Sequence, residues 1–190
     1  LCALRQLALQ VAQRGIRGAT GQVLVDASLY REGMRELGTR IVVSPLIIND
    51  NVIDIVVTPA ARAGEPADVT VTPQTEHLTV DANLTTVDSG TSAMVRAVED
   101  STDKDHRTLV IMGRVPVGPT TNRRWAVPVP SRFGEILLSE VLNETGIRVI
   151  PRLGTRTPDR AQLARGYADS LLVADHVALP FSAAARGILK

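Results

Sequence analysis

Few residues in this chain could do chemistry. The three histidines, His77, His106 and His176, each follow an acid: Glu76, Asp105 and Asp175. Neighbours along a strand point to opposite faces, so these pairs do not converge on one ion. Cys2 is the only cysteine, and neither His-x-x-x-His nor Cys-x-x-Cys spacing occurs. Structural zinc needs four closely grouped ligands, so no metal site is expected. Spacing leaves a Ser-His-Asp triad open, because triads assemble from distant segments. No Gly-x-Ser-x-Gly elbow supports one. A small hydrolase acting through His176 or His106 would have to show activity from this chain alone, and the histidines read as solvated surface residues.

Ser101-Thr102-Asp103-Lys104 formally matches Ser-x-x-Lys. That spacing works when the serine opens a buried helix and the lysine one turn later lies beside its hydroxyl. Here it falls in the most charged stretch, Glu99 to Arg107, between two β-branched segments. Surrounding carboxylates would keep Lys104 protonated, and the segment reads as a solvated hairpin tip. Gly15-x-x-Gly18-x-x-Gly21 lacks the spacing of a phosphate loop, and a helix precedes it where a strand should. It reads as a helix-to-strand turn. Arg114, Arg123 and Arg124, with Trp125 beside them, could form a basic patch for an anionic polymer or partner. A solvated loop anchored by one tryptophan is the plainer reading. Catalytic, cofactor-binding and metal residues are therefore all expected to be absent, and no cofactor is implied.

The rest of the composition agrees with an ordinary globular chain. Its 190 residues are 44% apolar and 22% charged, which excludes a disordered protein. The net charge of +1 gives no reason to expect nucleic acid or an anionic membrane as partner. No apolar run approaches a membrane span. A single cysteine forms no internal disulfide and says nothing of compartment. Aromatics are only 3%, so Val, Leu, Ile and Ala must build the core. Lysine occurs only at Lys104 and Lys190. The start, Leu-Cys-Ala, has no pattern of a signal peptide.

Periodicity sets out the elements that must position these residues. Leu4, Leu7, Ala8 and Val11 predict an amphipathic helix over 2–14, and Gln22 to Asp26 reads as a strand. Residues 28–36 read as a loop with a helical turn. Ile41–Val43, Leu46–Ile48 and Val52–Val57 are β-branched runs, with Pro45 and a hairpin turn at Asn49-Asp50-Asn51 between them. Short alternating segments follow at 67–72, 77–81, 83–88, 93–98 and 107–113. Ser131 can cap a helix that carries Glu135 early and Ile136, Leu137, Val141 and Leu142 at helical spacing, ending at Gly146. Ile147–Arg152 and Leu171–Val177 read as strands around a polar loop, and a final helix opens near Pro180 and Ser182. The expected fold class is α+β: an α/β domain of residues 1–51 plus 125–190, with an all-β domain nested at 52–124. Residues 178–190 are expected to lead out of it.

Taken together, these segments resemble one family. Gly15-Ile16 followed by Gly21 to Tyr30 (GQVLVDASLY) resembles the GI…GDLVLDDSLF stretch of the class C penicillin-binding proteins, the D-Ala-D-Ala carboxypeptidase/endopeptidase (penicillin-binding protein 4) family. Ser44 to Pro59 (SPLIINDNVIDIVVTP) resembles its SALSLNDNVVDVRVTPG, with Gly64-Glu65-Pro66-Ala67 just after. Val110 to Pro116 resembles its VSGRVP strand, and Leu172 to Ser182 its VAEHVSPPLSE. The resemblance runs in consistent order through nearly the whole chain. It implies a serine-type enzyme outside the cytoplasmic membrane, periplasmic or otherwise extracytoplasmic. Such an enzyme hydrolyses D-Ala-D-Ala bonds or peptide cross-links of peptidoglycan through an acyl-enzyme, with no metal or cofactor.

In that family an α/β domain, with a β domain nested inside it, interrupts the catalytic domain between Ser-x-x-Lys and Ser-x-Asn. No Ser-x-Asn or Lys-Thr-Gly occurs in this chain. The family's Ser-x-Asn comes just after the position where the chain stops. The resemblance therefore implies an accessory region without its active site, inactive by itself. It would shape or shield the cleft, or dock the cell wall or a partner. The alternative is a stand-alone cell-wall or protein-binding module without catalysis. Flanking sequence separates the two: Ser-x-x-Lys upstream, and Ser-x-Asn then Lys-Thr-Gly downstream, favour the enzyme.

Overall fold

A computed structural model describes residues 1–76, 78–100, 107–150 and 171–177. The elements in chain order are α1 (Cys2–Gln13), β1 (Gly18–Thr20), β2 (Val52–Thr58), β3 (Asp68–Thr72), β4 (Leu78–Val87), β5 (Met94–Glu99), β6 (Arg107–Pro116), β7 (Thr121–Ala126), α2 (Pro130–Glu144) and β8 (Arg148–Ile150). The fold is α+β. Its contacts form two compact units, Leu1–Leu24 with Leu138–Lys190, and Val25–Leu137.

In the first unit the apolar stripe of α1 supplies Leu4, Ala8, Val11 and Ala12 to a cluster with Val141, Leu142, Ile147 and Val149. Ala8 is fully buried, as helical spacing places it. Gly146 takes a positive φ of 85° just past α2. The Ile147 amide then reaches back to the Leu142 carbonyl at 2.9 Å, which closes the helix and turns Ile147 into the cluster. β1 and β8 pair in parallel, Gly18 with Arg148 through Thr20 with Ile150.

Two expected strands of this region take other forms. Residues 22–27 have no regular structure, and the paired strand is Gly18–Thr20. Leu171–Val177 forms no strand either. There the Gln10 side-chain amide occupies both main-chain groups of Asp175, accepting from its N–H at 3.0 Å and donating to its carbonyl at 2.9 Å. Main-chain groups satisfied by a side chain need no strand partner. The expected extension of the last strand to residue 152 and the helix near Pro180 lie outside the described residues.

The second unit holds two three-stranded sheets, β3-β2-β7 and β4-β6-β5. β2 is antiparallel to both neighbours, and its Ile53, Ile55 and Val57 alternate into the core, each at most 1% exposed. In the other sheet β6 is central, parallel to β4 and antiparallel to β5, and buries Leu109, Ile111 and Val115. The segments expected separately at 77–81 and 83–88 are one strand, β4. β7, where a loop was the plainer reading, pairs Trp125 with Ile53 and Arg123 with Ile55. The first half of α2 buries Phe133 and Leu137 one turn apart.

Asn49, Asp50 and Asn51 all have φ between 50° and 55°. They form a left-handed turn into β2, not a hairpin between paired strands. The Asn51 carboxamide stabilises it, accepting from the Ile48 amide at 3.1 Å and donating to the Val42 carbonyl at 3.1 Å.

Candidate functional site

A dense polar arrangement surrounds the start of α2. Glu32 comes from the loop expected over 28–36, which forms turns around the Arg35–Val42 bridge. Its carboxylate accepts the Ser131 amide at 2.9 Å, the Ser131 hydroxyl at 2.7 Å and the Ser44 hydroxyl at 2.5 Å. The Tyr30 hydroxyl donates to the Ser44 carbonyl at 2.6 Å, and Ser44 Oγ accepts the Leu46 amide at 3.2 Å. A carboxylate is well placed here, because the first amides of a helix lack internal partners and carry partial positive charge. Ser131 was expected to act as the cap. It lies inside the helix, and Glu32 from another segment caps it instead.

Glu135, one turn further on, is 1% exposed. It accepts the Val25 amide at 3.1 Å and pairs with the Arg132 guanidinium at 3.0 Å. This carboxylate ties the segment after residue 24 to α2. It supplies a reason for the missing strand at 22–26, since the Val25 amide bonds to a side chain. Buried carboxylates are retained when paired and hydrogen-bonded in this way.

Two serine hydroxyls converge on one carboxylate, but the geometry is that of a clamp. Ser44 is completely buried, so no substrate reaches its Oγ, and neither hydroxyl has a histidine or lysine base beside it among the described residues. Sequence reasoning did not single out Glu32, Tyr30 or Ser44. Glu32 lies 99 positions from Ser131, and no local pattern announces that pairing.

The expected chemistry-bearing residues fall as follows. His77, His106, Ser101 and Lys104 lie outside the described residues. His176 is exposed, with Nδ1 3.2 Å from Gln6 Oε1. Cys2 is exposed. Among the described residues no three His, Cys, Asp or Glu group as a metal site would require. The expected basic patch is divided: Arg114 belongs to β6, whereas Arg123 and Arg124 sit in β7 of the other sheet. Alternation along β7 separates these two in turn. Arg124 pairs with Asp54 at 3.2 Å, and Arg123 donates to the Asn122 carbonyl at 3.0 Å. Asp26 is held below the ordinary carboxylate range by hydrogen bonds from Ser28, its hydroxyl first and its amide second.

The model of the D-Ala-D-Ala carboxypeptidase 3 (S13) family matches residues 2–172. The chain resembles the crystal structure of penicillin binding protein 4 (dacB) from Haemophilus influenzae, with a TM-score of 0.60 and 16% identity over 81% of this chain. It also resembles the form of that protein complexed with a novel β-lactam, with a TM-score of 0.53 and 15% identity. At such identity the likeness is one of fold. The chain spans 36% of the first structure and 34% of the second. No curated protein sequence matches it.

Proposed function

The chain belongs to the D-Ala-D-Ala carboxypeptidase 3 (S13) family, and from that premise we propose that it is the accessory region of a serine-type D-Ala-D-Ala carboxypeptidase/endopeptidase acting on peptidoglycan. The observation that carries the reading is the family match over residues 2–172 in a sequence without Ser-x-Asn or Lys-Thr-Gly. The parent enzyme would work outside the cytoplasmic membrane. No described helix is long and apolar enough to cross one. Within this region the stretch 52–124 is proposed as a nested β domain; it lies inside the second compact unit, Val25–Leu137, whose remaining residues flank it. The region shapes or shields the parent's cleft, and by itself it is inactive.

Inactivity follows from the chemistry of acylation. A serine hydroxyl is a weak nucleophile until a base lies within about 3 Å. Among the described residues, Ser44 and Ser131 have only the Glu32 carboxylate beside them, a weak base, and both are buried away from any substrate. Losing a nucleophile and its base together typically removes a factor of about 10⁶ from the rate. Intact-mass spectrometry after incubation with excess benzylpenicillin tests this, and the expected spectrum shows no adduct. A stoichiometric adduct on Ser101, abolished by Lys104→Ala, would place an active site inside this chain.

A further inference from the structure

We propose that the outward face of the β4-β6-β5 sheet is a docking surface for an acidic, amphipathic protein segment. The inference stands on the sheet itself and does not depend on the parent enzyme.

The central strand β6 buries Leu109, Ile111 and Val115, so Met112 and Arg114 point the other way. Antiparallel register sets Arg114 opposite Met94 and Met112 opposite Arg96 on β5. Met94 is 57% and Met112 42% exposed, and both arginines are exposed. On β4, Thr85 registers with Arg114 and Asn83 with Met112, and both are exposed. Directly opposed residues on one face lie about 4.5–5.5 Å apart at Cβ and diagonal ones about 7–8 Å. The four side chains thus form a checkerboard, thioether beside guanidinium in both directions, flanked by small polar residues. Asp81 lies one outward step away, opposite Val110.

Three features specify the occupant. Neither Arg96 nor Arg114 makes an ion pair among the described residues, so two guanidinium forks remain for carboxylates. The thioethers between them favour an apolar side chain at the same spacing. Methionine and arginine are enriched in protein interfaces and lysine is depleted. This face has two of the chain's three methionines. A purely anionic polymer would use the charges and leave the thioethers in water. A second copy docked through the same face would gather four guanidinium groups in one interface. A protein segment carrying acidic and apolar residues in turn satisfies both.

The three methionines, Met34, Met94 and Met112, make the test direct. The full chain, labelled with ¹³C-methyl methionine, is titrated with a short synthetic peptide of repeating Glu-Ser-Leu-Ser, which sets Glu and Leu in turn on one face of an extended segment. The Met94 and Met112 methyl resonances are expected to move while Met34 stays. The counterpart peptide with Gln for Glu should bind about tenfold more weakly, and so should the Glu peptide to the Arg96→Ser/Arg114→Ser variant. If that double variant melts abnormally, Arg114→Gln alone should weaken binding about threefold. Equal affinity for the two peptides would overturn the proposal. So would movement of Met34 alone, equal response to dextran sulfate or phosphatidylglycerol vesicles, or movement of Met94 and Met112 with protein concentration alone.

Discussion

Replacing Gly113 with alanine should be among the most damaging single changes available in the second unit. Gly113 lies in the middle of β6 with φ of 135°. A Cβ there would sit 1.9 Å from the Met94 carbonyl oxygen, 2.9 Å from its carbon and 3.4 Å from Val95 Cα. Those atoms are backbone, so no rotamer relieves the clash. Alanine at such a φ costs about 1–3 kcal/mol. Moving β5 aside adds about 1–3 kcal/mol of overpacking, and each weakened ladder bond about 1 kcal/mol. The expected loss is about 3–5 kcal/mol. Gly118 is a matched control, with φ of 138° and nothing within 4 Å of its added Cβ. Gly118→Ala should cost only the backbone part, about 1–2 kcal/mol. Trp125, the sole tryptophan, pairs with β2 in the same unit, so its fluorescence in urea reports both variants. In melting, Gly113→Ala should fall roughly 10 °C, taking about 2–4 °C per kcal/mol. If the two variants agree within about 1 kcal/mol, the close approach of β5 to Gly113 is not what requires glycine.

Glu32→Gln should destabilise the same unit by about 1–3 kcal/mol, because the carboxamide offers one acceptor oxygen where two carboxylate oxygens now take three bonds; urea denaturation followed at Trp125 measures it, and a neutral result would show the clamp to be incidental. An added Cβ at Gly134 would lie 2.1 Å from Leu46 Cδ2, the end of a flexible side chain. Gly134→Ala should therefore cost about 1–2 kcal/mol. In a double-mutant cycle with Leu46→Ala the costs should fail to add by at least about 0.5 kcal/mol, whereas simple additivity would refute the contact. Asp26, with its carboxyl held low by Ser28, favours the folded state at pH above the ordinary carboxylate value. That contribution disappears as pH falls through the lowered folded value, and Ser28→Ala should move the Asp26 titration upward by NMR.

Local pattern was enough wherever one element's own residues decide its form. The 3.6-residue spacing of Leu4, Ala8 and Val11 matches α1, and Gly146 stops α2 because only glycine takes that φ without strain. β-branched alternation predicts β2, β3, β5 and β6 to within a few residues. The pattern misled where a side chain from elsewhere takes the main-chain bonds a strand would use. Gln10 does so at Asp175, and Glu135 at the Val25 amide. β7 went unread because Asn122, Arg123 and Arg124 look like a solvated loop, and only antiparallel pairing with β2 makes that segment a strand. Residue order and motif spacing were enough to assign the family, because they depend on sequence alone. The clamp of Glu32 on Ser44 and Ser131 and the Met–Arg checkerboard of the β4-β6-β5 sheet were decided by tertiary structure. Each joins separate segments of the chain: side-chain hydrogen bonds bring the first together, and strand register sets the second side by side.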